Sequence, residues 1–260
     1  MIKTHKRVKA DAPASQYSQD MKPYNEEKNK KEQVEEMFDN IAPTYDKLNH
    51  IMSLNIDRLW RRRVVRIVRR AKATKIMDIA TGTGDLAIAM AKKSDRTQIL
   101  GIDLSAEMLA HAQQKVQKQG LEERIMLEKC DAEEINIVAP GSIDVVTVAF
   151  GVRNFENIER GLQEIHRVLC AGGKLVILEF STPRNRFVRW IYAQYSHRLI
   201  PRIGGMISKD KKAYVYLPES VDEFPAPEQF MQILAENGFG NIKRRSQSFG
   251  IAQIYEATKM

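Results

Sequence analysis

The sequence predicts an α/β fold built on a mainly parallel sheet with helices on both faces. Three observations carry this. Met77-Asp78-Ile79-Ala80-Thr81-Gly82-Thr83-Gly84-Asp85-Leu86-Ala87 reads as a buried strand turning through a glycine-rich corner into a helix, since residues 75–80 are apolar and residues 86–91 are good helix formers. From that corner to residue 180, apolar strands alternate with helical patterns, the rhythm of βαβ units whose parallel strands are covered by helices. Residues 241–248 and 252–258, joined near Gly250, close the chain as an antiparallel pair.

In order, residues 1–30 are too polar to bury a core and read as a disordered basic tail ahead of a domain spanning 31–260. Val34, Met37, Phe38 and Ile41 recur at helical spacing, so an amphipathic helix runs to Pro43, which is expected to end it. The polar and aromatic mixture of residues 44–49 resembles a loop. Residues 57–70 form a strongly basic helix with Asp57 as its expected N-cap. Trp60, Val64, Ile67 and Val68 share its inner face, while Arg62, Arg63, Arg66, Arg69 and Arg70 spread over the outer ones. After the corner come a helix at 105–118 capped by Ser105, strands at 124–130 and 141–150, a helix at 157–169 and a strand at 173–180. In residues 182–217 the alternation lapses. Phe187, Trp190, Ile191, Tyr195 and Leu199 follow helical spacing and Pro201, Gly204 and Gly205 break it, so the segment is either a helix packed on the core or a lid over a large apolar substrate. Residues 227–237 form a helix ended by Gly238.

At 260 residues the chain can bury one sizeable core. Its net charge of +8 points to an anionic partner, nucleic acid or an anionic membrane surface. The outer side of the arginine helix reads either as a solvated face or as a contact for anionic lipid headgroups, to which each basic residue would add roughly 1 kcal/mol. Nucleic acid is disfavoured, because no aromatic platform or recognition-helix pattern accompanies the charge. Cys130 and Cys170 form no C-x-x-C pair, so no metal site is expected. Without a long apolar run, or an apolar stretch behind the charged start, the expected location is cytoplasmic, with peripheral docking at the inner face of the membrane.

Sheets of this kind bind ligands at the carboxyl ends of their strands. Those ends offer Ala80-Thr81, Asp103, Asp131-Ala132 and the 149–154 loop, beside the bare backbone of Gly82 and Gly84. Gly82 to Ala87 fits G-x-G-x-x-A, which keeps a nicotinamide-dependent oxidoreductase in view. Three features weigh against it. Asp78 lies four residues before the first glycine, where it can hold the ligand loop or accept a hydrogen bond from a cationic amine; Asp131-Ala132 ends the third strand, where an adenine edge can be held; and residues 169–175 lead a helix directly into the fifth strand, as in S-adenosylmethionine methyltransferases.

Beyond this general class, Phe38-Asp39-Asn40-Ile41-Ala42-Pro43-Thr44-Tyr45-Asp46, Phe150-Gly151-Val152-Arg153-Asn154-Phe155, Leu178-Glu179-Phe180-Ser181, Leu199-Ile200-Pro201-Arg202-Ile203-Gly204 and Tyr216-Leu217-Pro218-Glu219-Ser220 are similar to the demethylmenaquinone and ubiquinone-precursor C-methyltransferase family. The likeness runs over residues 33–258. It departs from the family at Cys170-Ala171, where Lys-Pro is frequent, at Ala149, where some members have Ser, and at Tyr255-Glu256-Ala257, where many end in His-x-Gly. The resemblance implies a Rossmann-like class I methyltransferase with a seven-stranded sheet and an inserted helical lid at 182–217. It also implies S-adenosylmethionine as cofactor and C-methylation of a reduced prenylated quinol, either demethylmenaquinol or a methoxybenzoquinol. By position, Thr83, Asp103, Asp131 and Ala132 resemble the family's cofactor residues and join Asp78, Gly82 and Gly84. Arg153 would stabilise the phenolate of the acceptor and Asn154 orient its oxygen, with Tyr45, Asp46 and His197 as candidates to take the phenol proton. The expected partners are the quinol and a membrane surface; the oligomeric state stays open. The rival reading is a nucleic-acid-interacting module on the same fold.

Overall fold

The computed structural model describes residues 21–24, 27–53, 55–196, 210 and 212–260. Its strands are β1 (Lys75–Ile79), β2 (Gln98–Asp103), β3 (Ile125–Lys129), β4 (Ile143–Ala149), β5 (Leu169–Phe180), β6 (Phe239–Gln247) and β7 (Ala252–Lys259). They form one seven-stranded sheet in the order β3-β2-β1-β4-β5-β7-β6. The first five run parallel, and β7 lies antiparallel between β5 and β6. From β1 the chain moves outward through β2 to β3, then returns to β4 on the other side of β1. That reversal opens a crevice at the carboxyl ends of β1 and β4.

The helices are α1 (Lys30–Met52), α2 (Ile56–Arg70), α3 (Asp85–Ala91), α4 (Ala106–Lys118), α5 (Ile158–Val168), α6 (Arg186–Gln194), α7 (Ala213–Glu223) and α8 (Pro227–Glu236). On one face of the sheet α5 and α8 pack Leu162, Ile165, Phe230 and Leu234 against Met77, Ile79 and Val146. On the other, α2 and α3 pack Trp60, Val64, Leu86 and Met90 against Ile76, Ile99 and Val145. A third cluster joins α1, α4 and α7 through Met37, Ile41, Met108, Tyr214 and Tyr216. Ser105 caps α4, its hydroxyl accepting from the Met108 N–H at 3.0 Å.

Several expectations change. Pro43 does not end α1, which continues for another nine residues to Met52. Proline removes one ladder bond, but Ile41 and Ala42 are buried and Pro43 faces solvent, so packing on one side of the helix outweighs the lost bond. The segment read as a loop at 44–49 is therefore helical. Asp57 is not the N-cap of α2; Asn55 holds that position at φ 59°, and Asp57 sits buried in the first turn, paired with Arg61. The apolar spacing of α6 does not reflect core packing. The helix has no buried residue, and Phe187, Trp190 and Ile191 are 69%, 61% and 47% exposed, because both sheet faces are already covered. At the end of the tail, Met21 and Tyr24 pack beside α1, and Lys30 begins that helix buried.

Candidate active site

Two cavities meet at the crevice. The first runs along the strand ends and is lined by Gly82, Asp103, Leu104, Cys130, Asp131, Ala132, Ala149 and Asn154, with Lys31, Phe38 and Tyr45 of α1 above them. Asp103 closes β2 and binds the glycine corner: its carboxylate accepts from the Gly82 N–H at 2.8 Å and from the Ser105 N–H at 3.0 Å. Burial pushes the Asp103 carboxyl up, against these donors. Gly82 has φ 56°, and a Cβ there would point into the cleft, with the Tyr45 ring 3.9 Å beyond. The turn therefore needs glycine for its backbone as well as for the space it leaves.

Asp78, Thr83 and Gly84 stand behind this surface. Asp78 is fully buried and holds the loop, accepting from the Thr81 hydroxyl at 2.7 Å and the Thr147 hydroxyl at 2.5 Å. Burial pushes its carboxyl up to about 6, against those two hydroxyls. Thr83 donates to Asp46, and Lys115 bridges the pair, bonding Asp46 at 2.8 Å and Thr83 at 3.1 Å. Gly84, at φ 79°, lets α4 approach: a Cβ would lie 3.2 Å from that of Ala112.

A row of polar links lays α1 across the strand ends. Lys31 pairs with Asp131, Glu35 with Lys129 at 2.6 Å, and Asp39 accepts from the Ser105 hydroxyl at 2.5 Å. Their helical spacing was readable, but their partners lie 66 to 100 residues away, so pattern alone did not reveal the contact.

The second cavity holds about 470 Å³. Tyr45 and Phe150 line both, so they form the shared wall. One side of the larger cavity is polar: Tyr45, Asn49, Ser53 and Asp57 follow one another at four-residue intervals, with Arg61 and Arg153 beside them. The remainder is apolar, walled by Trp60, Phe180, Val188, Leu217 and Val221 and opening past Phe187, Ile191 and Phe249. Burial raises the Tyr45 phenol above its ordinary value.

Arg153 is itself buried. Its guanidinium binds Glu179 at 2.7 Å, Ser220 at 3.2 Å and the Phe150 carbonyl, and lies 5.5 Å from the centroid of Phe180. Glu179, at the end of β5, was not singled out as a site residue, although the same reading of strand ends would have found it. Beneath this pair the Lys30 ammonium donates to the carbonyls of Arg153 and Phe155 at 3.1 and 2.9 Å. Burial pulls the Lys30 amine down to about 7, against the pull of Glu133 and Glu156. Asn154 accepts from the Tyr216 hydroxyl at 3.4 Å. Asp46 turns toward Thr83 and Lys115 and lines neither cavity, and His197, with Pro201, Gly204 and Gly205, lies outside the described residues. Among the described residues no cluster of His, Cys, Asp or Glu suits a metal ion.

Residues 26–259 match the ubiE/COQ5 methyltransferase family. The chain belongs to this family. It is similar to the demethylmenaquinone methyltransferase of Bacteroides fragilis, with 44% identity over 92% of this chain and 97% of the relative. The ubiquinone/menaquinone biosynthesis C-methyltransferase UbiE of Geotalea uraniireducens shares 45% identity over 88% of this chain and 97% of its own length. The structure of phosphoethanolamine N-methyltransferase 2 from Haemonchus contortus, solved with S-adenosyl-L-methionine, matches with a TM-score of 0.53 at 18% identity, covering 72% of this chain and 48% of that one. That likeness is one of fold: the parallel sheet of this ubiE/COQ5 chain is a methyltransferase scaffold, and its two joined cavities are the candidate donor and acceptor sites.

Proposed function

We propose that the protein transfers a methyl group from S-adenosylmethionine to a ring carbon of a reduced prenylated quinol, converting demethylmenaquinol to menaquinol. One observation carries the reading: a cleft at the strand ends, bordered by the carboxylates of Asp103 and Asp131, shares the wall of Tyr45 and Phe150 with a larger cavity that is polar on one side and apolar on the rest. A quinol ring with a hydrocarbon tail has that distribution of polarity. The curated relative in Bacteroides fragilis carries a matching name.

The residues that line the first cleft suit the donor. Gly82 leaves room over its backbone, Asp103 presents a carboxylate to hydroxyls, and Asp131 and Ala132 border a slot floored by Leu104. The donor supplies a methyl group on a cationic sulfur, and the protein's contribution is to hold the acceptor carbon against it, where positioning lowers the barrier most. Arg153 is oriented by Glu179, and its guanidinium offers hydrogen-bond donors and no acceptor, so it stabilises a phenolate rather than removing the proton. Asn154 and Tyr216 fix the loop that carries it.

Purified protein, incubated anaerobically with labelled S-adenosylmethionine and each reduced quinol, is expected to label demethylmenaquinol in preference to the methoxybenzoquinol. Its melting temperature is expected to rise with S-adenosylmethionine and not with NAD. Label in neither quinol would overturn the reading.

The cavity mouth supports docking on an anionic bilayer. Phe187, Trp190, Ile191 and Phe249 are exposed there, and the outer face of α2 carries Arg62, Arg63 and Arg66 without an exposed carboxylate between them. Arg63 bonds Gln247 and the Trp60 ring bonds Ser248, which ties this basic face to the Phe249 turn. No helix among the described residues is long and apolar enough to cross a membrane, so the contact would lie at the surface. Vesicles containing anionic lipid are expected to retain the protein at low salt and release it near 1 M salt, where charges are screened beyond about 3 Å. Trp190→Glu is expected to weaken retention about fivefold or more, given headgroup attraction of roughly 1 kcal/mol per charge. Equal retention on neutral vesicles would remove the charge from the account.

A further inference from the structure

The phenol proton must leave before the ring carbon becomes strongly nucleophilic, and the two expected acceptors among the described residues, Asp46 and Tyr45, do not suit the task. Asp46 points away from the acceptor cavity. Tyr45 carries its own phenolic proton, held the more firmly by burial, and Arg153 has no lone pair to offer. We infer that Asp57 is the group that accepts this proton, an assignment that rests on the quinol-methylation reading.

Among the described residues lining the acceptor cavity, Asp57 is the one carboxylate. It is buried, 3% exposed, on the polar wall that continues from Tyr45 through Asn49 and Ser53. One of its oxygens accepts from the Ser53 hydroxyl at 2.5 Å and the other from Arg61. Both neighbours line the same cavity, so a quinol hydroxyl can reach the carboxylate directly or through Ser53. Arg61 is shared: it also lies 3.4 Å from Asp85, at the start of the helix that follows the glycine corner. The polar wall therefore combines an acceptor for the proton with two cations, Arg61 and Arg153, to face the phenolate that results.

In the step assigned, the quinol O–H bond breaks, its electron pair stays on the ring oxygen, and an O–H bond forms on Asp57. After methyl transfer the hydrogen on the methylated ring carbon leaves to solvent as a proton, and the proton on Asp57 returns to the ring oxygen. One proton is released per turnover and the carboxylate is restored.

The test uses Asp57→Asn, which keeps the shape and removes the basic oxygen. With a short-prenyl demethylmenaquinol under anaerobic conditions, its turnover at pH 7 is expected to fall about 10²- to 10⁴-fold, the usual share of a general base. The deficit should shrink about tenfold per pH unit as hydroxide takes over, and added formate should restore part of the rate. Binding is expected to be unchanged, as read by quenching of Trp60, which lines the cavity, and by the shift in melting temperature with S-adenosylmethionine. A deficit that does not vary with pH or formate would make Asp57 a structural partner of Arg61 and overturn the assignment, as would turnover within about threefold of the parent. If Asp57→Asn fails to fold, Asp57→Glu carries the test, because retaining a carboxylate should retain the parent's pH profile. Absence of methyl transfer by the unaltered protein would instead bring down the quinol reading itself.

Discussion

Replacing Glu179 with alanine is expected to destabilise the protein by about 3–5 kcal/mol and to cut methyl transfer by about a hundredfold or more. Glu179 is 0% exposed, and its carboxylate meets the Arg153 guanidinium at 2.7 Å and the N–H groups of Phe180 and Arg153 at 2.9 and 3.3 Å. Removing it strands a cation that is 5% exposed and turns two satisfied backbone donors toward an apolar void. Exchanging both partners for apolar residues of similar volume should cost far less stability than the single change while leaving the protein inactive. Denaturant unfolding of Glu179→Ala and of Arg153→Met combined with Glu179→Leu separates the two effects. A loss under about 1 kcal/mol for the single variant would mean that the Phe150 carbonyl and Ser220 suffice for Arg153.

Gly151→Ala is expected to weaken binding of S-adenosylmethionine about tenfold, with a stability loss of about 1–3 kcal/mol. Gly151 follows β4 at φ −109°, a backbone that any residue adopts, so the objection is space. A Cβ there would stand 2.5 Å from that of Ala80 and 3.1 Å from Cγ1 of Val148. Ala80 already sits at φ 52°, on the turn that delivers Gly82, and cannot retreat without moving the donor cleft. Calorimetric titration measures the effect. Unchanged affinity would show that the β1 and β4 ends part without disturbing the loop.

The strands and the rim on which they end were legible because short apolar runs and period-3.6 patterns are local. Asp103, Asp131 and Ala132 were placed correctly on one rim by strand ends alone. What escaped was decided by neighbours distant in sequence. Pro43 ends a helix in isolation, yet Ile41 and Ala42 bury beneath it. Asp57 looks like a cap until Arg61 and Ser53 close around it. Lys30 belongs by composition to the polar tail read as disordered, but carbonyls 123 and 125 residues away draw it inside. The spacing along α6 was read correctly as helical, while nothing local could say that the sheet has no face left for it to cover.

The buried carboxylate behind the glycine corner also has a consequence for how such chains can diverge. Asp78, Thr81 and Thr147 satisfy one another out of reach of water, on two adjoining strands and the turn between sheet and helix. A change at any one of them leaves a polar atom bare in the core, whereas a joint apolar exchange leaves none. Substitution by single steps must therefore cross a less stable intermediate. Among descendants of a common ancestor, these three positions should be inherited as a single character, retained together or replaced together.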